Sequence, residues 1–282
     1  MISKFSLSRD YKKSTEATKI SLAHQEKAKS QIASSSAIEV HELTRCFGSF
    51  VAVNRINFSI RSGEVVAFLG PNGAGKTTTI KMLTGLLRPT SGQAFILGFD
   101  VEKNLPQIKN FIGYMSQRFS LYPLLTAAEN IEFFGGIVGL RRQKIKEKIE
   151  ELAAIISSDY LNQPTQTLPP GIRQEVALFA ALLHDPPIIF LDEPTSGVSP
   201  ERRRHFWMKI YDLKCQGKTL LVSTHNLDEA EYADRIIIIH QGKIRFQGEL
   251  ASLYEQEKVT SLENFFKQMV SEPKNGSNNS SY

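Results

Sequence analysis

The stretch Gly70-Pro71-Asn72-Gly73-Ala74-Gly75-Lys76-Thr77 fits the pattern GxxxxGK[ST] and is followed by Thr78. Its chemistry is the capture of phosphate. Glycines let the backbone curl around phosphate groups with no side chain in the way, and a helix start points N–H groups and the positive end of its dipole at an anion. Lys76 has the reach and charge for the β- and γ-phosphates of a nucleotide, and the Thr77 hydroxyl suits Mg²⁺. A second chemical feature is an apolar run that stops at two adjacent acids, Ile188-Ile189-Phe190-Leu191-Asp192-Glu193. Buried carboxylates need a cation or a partner. Asp192 is expected to hold Mg²⁺ through water, and Glu193 to orient and polarise an attacking water as general base. The bland alternatives are a glycine-rich turn before a helix and a strand end with an acidic helix cap; the strand before the loop and the apolar helical run after it weigh against the first, and the phosphate loop upstream against the second.

These groups need elements that hold them. Val65-Val66-Ala67-Phe68-Leu69 is a continuous apolar run ending in glycine, as expected of a strand buried on both faces, and Ile80, Leu83 and Leu87 after the loop mark a helix. Short apolar runs alternate with helical patterns through the main body of the chain, which predicts an α/β domain with a largely parallel sheet. Residues 38–63 read as strand, turn, strand. Ile145, Ile149, Leu152 and Ile156 recur at helical spacing among Arg141, Arg142, Lys146 and Glu150, an amphipathic helix assigned to a helical subdomain with its basic residues on a solvated face.

Length and charge narrow the possibilities. With 282 residues and 41% apolar content the chain can bury a sizeable core, in one large domain or two small ones. Its longest apolar runs fall far short of the ~20 residues that span a bilayer. Cys46 and Cys215 stand far apart, without a CxxC or Cys/His pattern, so neither a zinc site nor a disulfide is expected, in keeping with a reducing, cytoplasmic location. Of the net charge of +5, most belongs to residues 1–36, which carry seven basic and three acidic side chains. The rest is nearly neutral and lacks the clustered basic face of a phosphate-backbone footprint, so no nucleic-acid partner is expected. Residues 1–36, rich in Ser, Thr, Lys and Gln, read as a flexible basic extension; their Ser content leaves a transit peptide open, and the bias to Lys over Arg argues against one. Residues 37–250 form the main domain, 251–271 a short helical segment and 272–282 a disordered tail.

In their order and spacing, with 116 positions from Lys76 to Asp192, the motifs over roughly residues 38–250 resemble the nucleotide-binding domains of ABC transporters. The resemblance implies a P-loop NTPase core joined to an antiparallel β subdomain and the helical subdomain, with ATP and Mg²⁺ as ligands. By position it implies that residues 70–78 cradle the phosphates, that Thr77, Asp192 and Gln117 surround Mg²⁺, and that Glu193, His225, Gln117 and Lys76 serve catalysis. Phe47 in RCFGSF matches the aromatic platform for adenine, where stacking suits either purine. Gln117 in GYMSQRFSLY matches the glutamine that senses Mg²⁺ and the water and links the site to a membrane partner, and His225 in VSTHNLDEAEYADR matches the histidine that hydrogen-bonds the γ-phosphate. The implied partners are an integral-membrane permease, whose cytoplasmic helix docks near Gln117 and residues 118–140, and a second nucleotide-binding domain, identical or different. That assembly puts the chain at the cytoplasmic face of the cell's inner membrane as a peripheral subunit.

Two departures stand out. Where the family has LSGGQ, whose serine and N–H groups close over ATP held by the other subunit, this chain has Leu168-Pro169-Pro170-Gly171-Ile172-Arg173-Gln174. The hydroxyl is gone and neither proline has an N–H to donate, although proline suits a helix's first turn and Gly171 keeps its N–H. Ser199 in SGVSP stands where the family usually has aspartate. The proline, together with SQRFSLYPLLT, DEPTSGV and Ser261-Leu262-Glu263-Asn264-Phe265-Phe266, resembles the branch that serves drug-resistance and multidrug exporters. The expected function is an ATP-hydrolysing subunit that energises a separate permease exporting drugs or other hydrophobic compounds. The alternative is an ATP-binding regulatory subunit with weak or no hydrolysis, paired with a different catalytic ABC domain.

Overall fold

The computed structural model describes residues 36–117, 121–258 and 260–271, the last three as backbone. The extension and tail anticipated over 1–36 and 272–282 lie outside the described residues, except that Ser36 opens the first strand. Two long strands, β1 (Ser36–Phe47) and β2 (Phe50–Arg61), pair antiparallel across a tight turn at Gly48 and Ser49, the strand-turn-strand expected there. The wholly buried β3 (Val65–Leu69) then leads through the glycine loop into α1 (Lys76–Leu83). β4 (Ser91–Ile96) and β5 (Phe99–Asp100) return to the antiparallel sheet, and β6 (Ile112–Met115) enters the parallel one. Helices α2 (Ala127–Ile137), α3 (Arg142–Ile156) and α4 (Pro170–Ala181) follow, then β7 (Ile188–Asp192), α5 (Pro200–Cys215) and β8 (Thr219–Thr224). The chain closes with β9 (Arg235–His240), β10 (Lys243–Gly248), α6 (Leu250–Glu257) and α7 (Leu262–Ser271).

Two sheets result. One has the order β2-β1-β4-β5 and is antiparallel; the other runs β10-β9-β3-β8-β7-β6, parallel except for the edge strand β10. The runs at β3, β7 and β8 are apolar because helices or the second sheet cover both faces, and strands buried on both faces cannot alternate. One core joins the antiparallel sheet, α1 and one face of the parallel sheet through Phe58, Phe68, Ile80 and Phe190. On the opposite face Ala177 and Leu178 of α4 and Phe206, Trp207 and Ile210 of α5 cover Ile189, Leu191, Leu220 and Val222.

A separate core holds α2, α3 and α4 together through Ala127, Ile131, Leu152, Ile156 and Val176. The Ile145, Leu152 and Ile156 stripe faces inward as its period required, while Lys144–Glu147 and Lys148–Glu151 pair along the outside of α3. α2 starts in a capping box: Thr126 Oγ1 accepts from the Glu129 N–H, and Glu129 Oε2 from the Thr126 N–H. Fully buried Asn130 stitches the preceding loop down, accepting from the Tyr122 N–H at 2.7 Å and donating to the carbonyls of Tyr122, Leu125 and Thr126. This ties residues 122–126 to the helical subdomain.

Candidate functional site

The chemistry-bearing residues collect at the C-terminal ends of the parallel strands, where such sheets place their ligands. Gly70 follows β3, Asp192 ends β7 and Ser223 lies near the end of β8. Gly75 has φ 113°, a conformation L side chains rarely adopt, and a Cβ there would lie 2.7 Å from the Ala52 carbonyl oxygen. The loop therefore needs glycine at this point both for its turn and for its approach to β2.

Lys76, only 4% exposed, donates from Nζ to the carbonyls of Gly70 at 2.6 Å and Pro71 at 3.1 Å, and lies 3.3 Å from Glu193 Oε1. Burial pushes its pKa below the ordinary lysine value, with the carboxylates of Glu193 and Asp192 opposing that shift. Thr77 Oγ1 donates to Asp192 Oδ1 at 3.0 Å, and Ser223 Oγ donates to the same oxygen at 2.6 Å. Asp192 is fully buried, and its second oxygen, Oδ2, has no hydrogen-bond partner. Burial raises its pKa, the two hydroxyls pulling the other way. A buried carboxylate with one satisfied and one unsatisfied oxygen, beside a threonine hydroxyl, fits a hard divalent cation that keeps most of its ligands as water and phosphate oxygen.

Glu193 steps off the strand end with φ 49°, a left-handed conformation strained for a side-chain-bearing residue. Its N–H is held by Ser223, donating to the carbonyl at 3.1 Å and to Oγ at 3.0 Å. The carboxylate is 3.3 Å from Lys76 Nζ on one oxygen; the other accepts from Gln117 Nε2 at 2.9 Å and stands 3.2 Å from His225 Nδ1. Lys76, Gln117, Glu193 and His225, drawn from four separate segments, are thus brought into direct contact, and Thr77 with Asp192 forms an adjoining pair. Gln117 makes its hydrogen bond to Glu193. Next to Glu193 and Gln117 opens a cavity of about 690 Å³, also lined by Leu121, Gln166, Pro170 and Gln174, which gives water a route to the carboxylate.

Phe47 lies at the turn end of β1, paired with Phe50, while Ala52 and Val53 of the same hairpin back onto Gly75. It is 47% exposed, with the Arg45 guanidinium carbon 4.6 Å from its ring centroid. Ser223 had no place in the sequence reading, yet it contacts both acids. The signal is a serine directly after the apolar Leu220-Leu221-Val222 of β8, which registers Ser223 directly opposite Asp192.

At the altered segment, Pro169 is the N-cap of α4 and Pro170 its first residue, so the missing N–H groups are those that a helix start leaves without intrahelical partners. The Arg202 side chain lies over Gly171, where a Cβ would meet its Nη1 at 2.5 Å. Ser199 acquires a structural role: it is the N-cap of α5, its hydroxyl accepting from the Arg202 N–H at 3.5 Å. Aspartate would accept that bond more strongly and oppose the helix dipole. Ser199→Asp is therefore expected to stabilise the fold by about 0.3–1 kcal/mol, read as a higher thermal midpoint; an unchanged or lower midpoint would show that negative charge at this cap gains nothing from the helix dipole.

Residues 53–196 match the ABC transporter family. The chain belongs to that family. Over 241 residues it is 43% identical to the probable multidrug ABC transporter ATP-binding protein YbhF of Escherichia coli (strain K12), covering 83% of this chain and 42% of that protein, so it spans less than half of YbhF's length. It is 40% identical over 218 residues to the ABC transporter ATP-binding protein NatA of Bacillus subtilis (strain 168), covering 76% of this chain and 89% of NatA. The ATP-binding cassette MJ0796, solved as a dimer in a post-hydrolysis state bound to ADP and Pi, superimposes with a TM-score of 0.69 at 28% identity, covering 76% of this chain and 98% of that one. The fold is the ABC cassette form of the P-loop NTPase, with the antiparallel sheet and helical subdomain anticipated from the sequence.

Proposed function

We propose that the chain binds and hydrolyses ATP to energise a separate membrane permease, an exporter of drugs or other hydrophobic compounds, at the cytoplasmic face of the membrane. The observation that carries it is the double cluster of Thr77 with Asp192 and Lys76 with Glu193, Gln117 and His225 at the mouth of the glycine loop. Residues 70–78 hold the phosphates, with Lys76 exchanging Glu193 for phosphate oxygens. Thr77 and Asp192 would hold Mg²⁺, which when bound neutralises phosphate charge, and Gln117 would complete its surround. Glu193 takes the proton of the attacking water, His225 hydrogen-bonds the terminal phosphate, and Phe47 stacks on the base. No helix among the described residues is long and apolar enough to cross a membrane, and on this reading the transport path is assigned to the permease. Exposed Tyr122, Leu124, Phe133 and Ile137 on and before α2 offer that partner an apolar surface next to the segment that Asn130 pins. The YbhF and NatA names support the transport role and, for YbhF, the multidrug one.

Steady-state phosphate release by the purified chain, alone and with a permease, tests this; tight ATP binding without turnover in either setting would overturn hydrolysis. That outcome is the one expected of a regulatory subunit whose catalytic partner is a different ABC domain. Pro169 and Pro170 at the start of α4 favour this second reading, since they present no N–H to the partner's nucleotide.

Asp192 gives a test with a stability readout. Its folded pKa lies above the unfolded value of 3.8, so the native state keeps the proton longer. The neutral form's advantage is full below pH ~4 and is lost as pH rises through the folded pKa. Asp192→Asn removes the buried charge and is expected to raise the thermal midpoint at neutral pH, a gain that shrinks towards pH ~4. The same variant is expected to lose the Mg²⁺-dependent part of ATP affinity. A midpoint gain independent of pH would contradict the burial account.

A further inference from the structure

Arg45 and Phe47 are two residues apart on β1 and so project to the same face of the antiparallel sheet. The Arg45 guanidinium lies over the Phe47 ring at 4.6 Å from the centroid, well inside cation–π range. It is held there: Nη1 donates to the Arg88 carbonyl at 2.8 Å, and Arg88 in turn pairs with Glu102. The Cys46 N–H between the two residues donates to Thr90 Oγ1 at 3.0 Å, and the Thr90 N–H donates to the Thr44 carbonyl at 2.8 Å, so the strand end is tied to the segment before β4. Arg45 Nε is buried and has no hydrogen-bond partner. That arrangement costs desolvation which an arginine at the rim of a sheet could avoid by turning its head into water. With a guanidinium over the ring and the residue still 47% exposed, much of Phe47 remains open to solvent.

We propose that Arg45 is a positioning residue for the nucleotide base: it closes one face of Phe47, fixes the ring, and leaves a single face on which a purine stacks, giving a guanidinium–phenyl–purine column. The inference rests on the reading of Phe47 as the base platform. An exposed phenylalanine with both faces free would have to be immobilised each time a base bound; the bridge from Arg45 to Arg88 meets that ordering cost in advance. Stacking on the open face needs no hydrogen bond to a base edge, so the column orients a purine without choosing between purines.

The test compares ATP with inorganic tripolyphosphate, which can occupy the glycine loop but has no base. Equilibrium affinities for both are measured on the full chain as wild type, Arg45→Ala, Arg45→Lys, Phe47→Ala and the double variant Arg45→Ala/Phe47→Ala. Arg45→Ala is expected to weaken ATP about three- to tenfold and leave tripolyphosphate unchanged, with Arg45→Lys in between because the cation stays while the flat stacking surface goes. In the Phe47→Ala background, loss of Arg45 is expected to add nothing. Equal weakening of ATP and tripolyphosphate by Arg45→Ala, or no change in ATP where Phe47→Ala produces one, would overturn the proposal alone. Unchanged ATP affinity in Phe47→Ala would overturn the base-platform reading, and the proposal with it.

Discussion

Glu193→Gln is expected to lower ATP turnover by roughly 10²–10⁴-fold, the usual contribution of a positioned general base, while ATP binding becomes tighter. Both parts follow from the contacts of one carboxylate. Glutamine keeps the shape and can still accept from Gln117 and face His225, so the strained backbone step after β7 and its anchorage on Ser223 are undisturbed. What is lost is proton-accepting capacity and negative charge. The charge is also the counter-ion of Lys76 at 3.3 Å, and phosphate must compete with it for the ammonium. Removing it frees Lys76 for the nucleotide, which is why affinity rises as turnover falls. Single-turnover hydrolysis and equilibrium ATP binding on the same preparation separate the two effects. Wild-type turnover in the variant would remove Glu193 from the chemistry; a parallel loss of binding would mean the substitution had disturbed the loop.

How far this was readable without coordinates depends on whether a residue's role is local. The glycine loop is one continuous segment whose conformational demands are written in its glycines, and β3 and β7 are continuous apolar runs because both faces are covered. The stripe on α3 faces its neighbours in the way a 3.6-residue period requires. Pairings across the sheet are different in kind. Ser223 meets Asp192 only because β8 lies beside β7 in matching register, and nothing in VST alone says which strand is next door. Gln117 and His225 were placed by resemblance to a family, and their convergence on Glu193 from segments 76 and 32 positions away is a property of the fold. The cap role of Ser199 is hidden for another reason: set against the family's aspartate the residue looks like a loss, although serine directly before proline and a helix is itself a start signal. Arg45 is legible only in part: its i,i+2 spacing to Phe47 is local, but the Arg88 carbonyl that anchors it lies 43 positions on and is supplied by the fold.

Lys76→Ala is expected to weaken ATP binding by about 10- to 10⁴-fold, the worth of one to two charge-assisted hydrogen bonds to phosphate, and also to destabilise the fold. In the protein as it stands the ammonium is almost wholly enclosed and divides its three N–H groups among two loop carbonyls and Glu193. Truncation leaves the Glu193 carboxylate, 7% exposed, without its cation. Breaking a buried pair from one side costs several kcal/mol; about 3 is expected here, at the low end because Gln117 and His225 still hold one oxygen. This separates a binding role from a folding role. The double variant Lys76→Ala/Glu193→Gln removes both charges and should recover most of the lost stability, yet ATP affinity should stay low, because no counter-ion adjustment restores a missing phosphate ligand. Chemical denaturation and ATP titration of the single and double variants give both readouts. Recovery of ATP binding together with stability would show that Lys76 acts only by supporting Glu193, and the assignment of the glycine loop's cation to phosphate would fall.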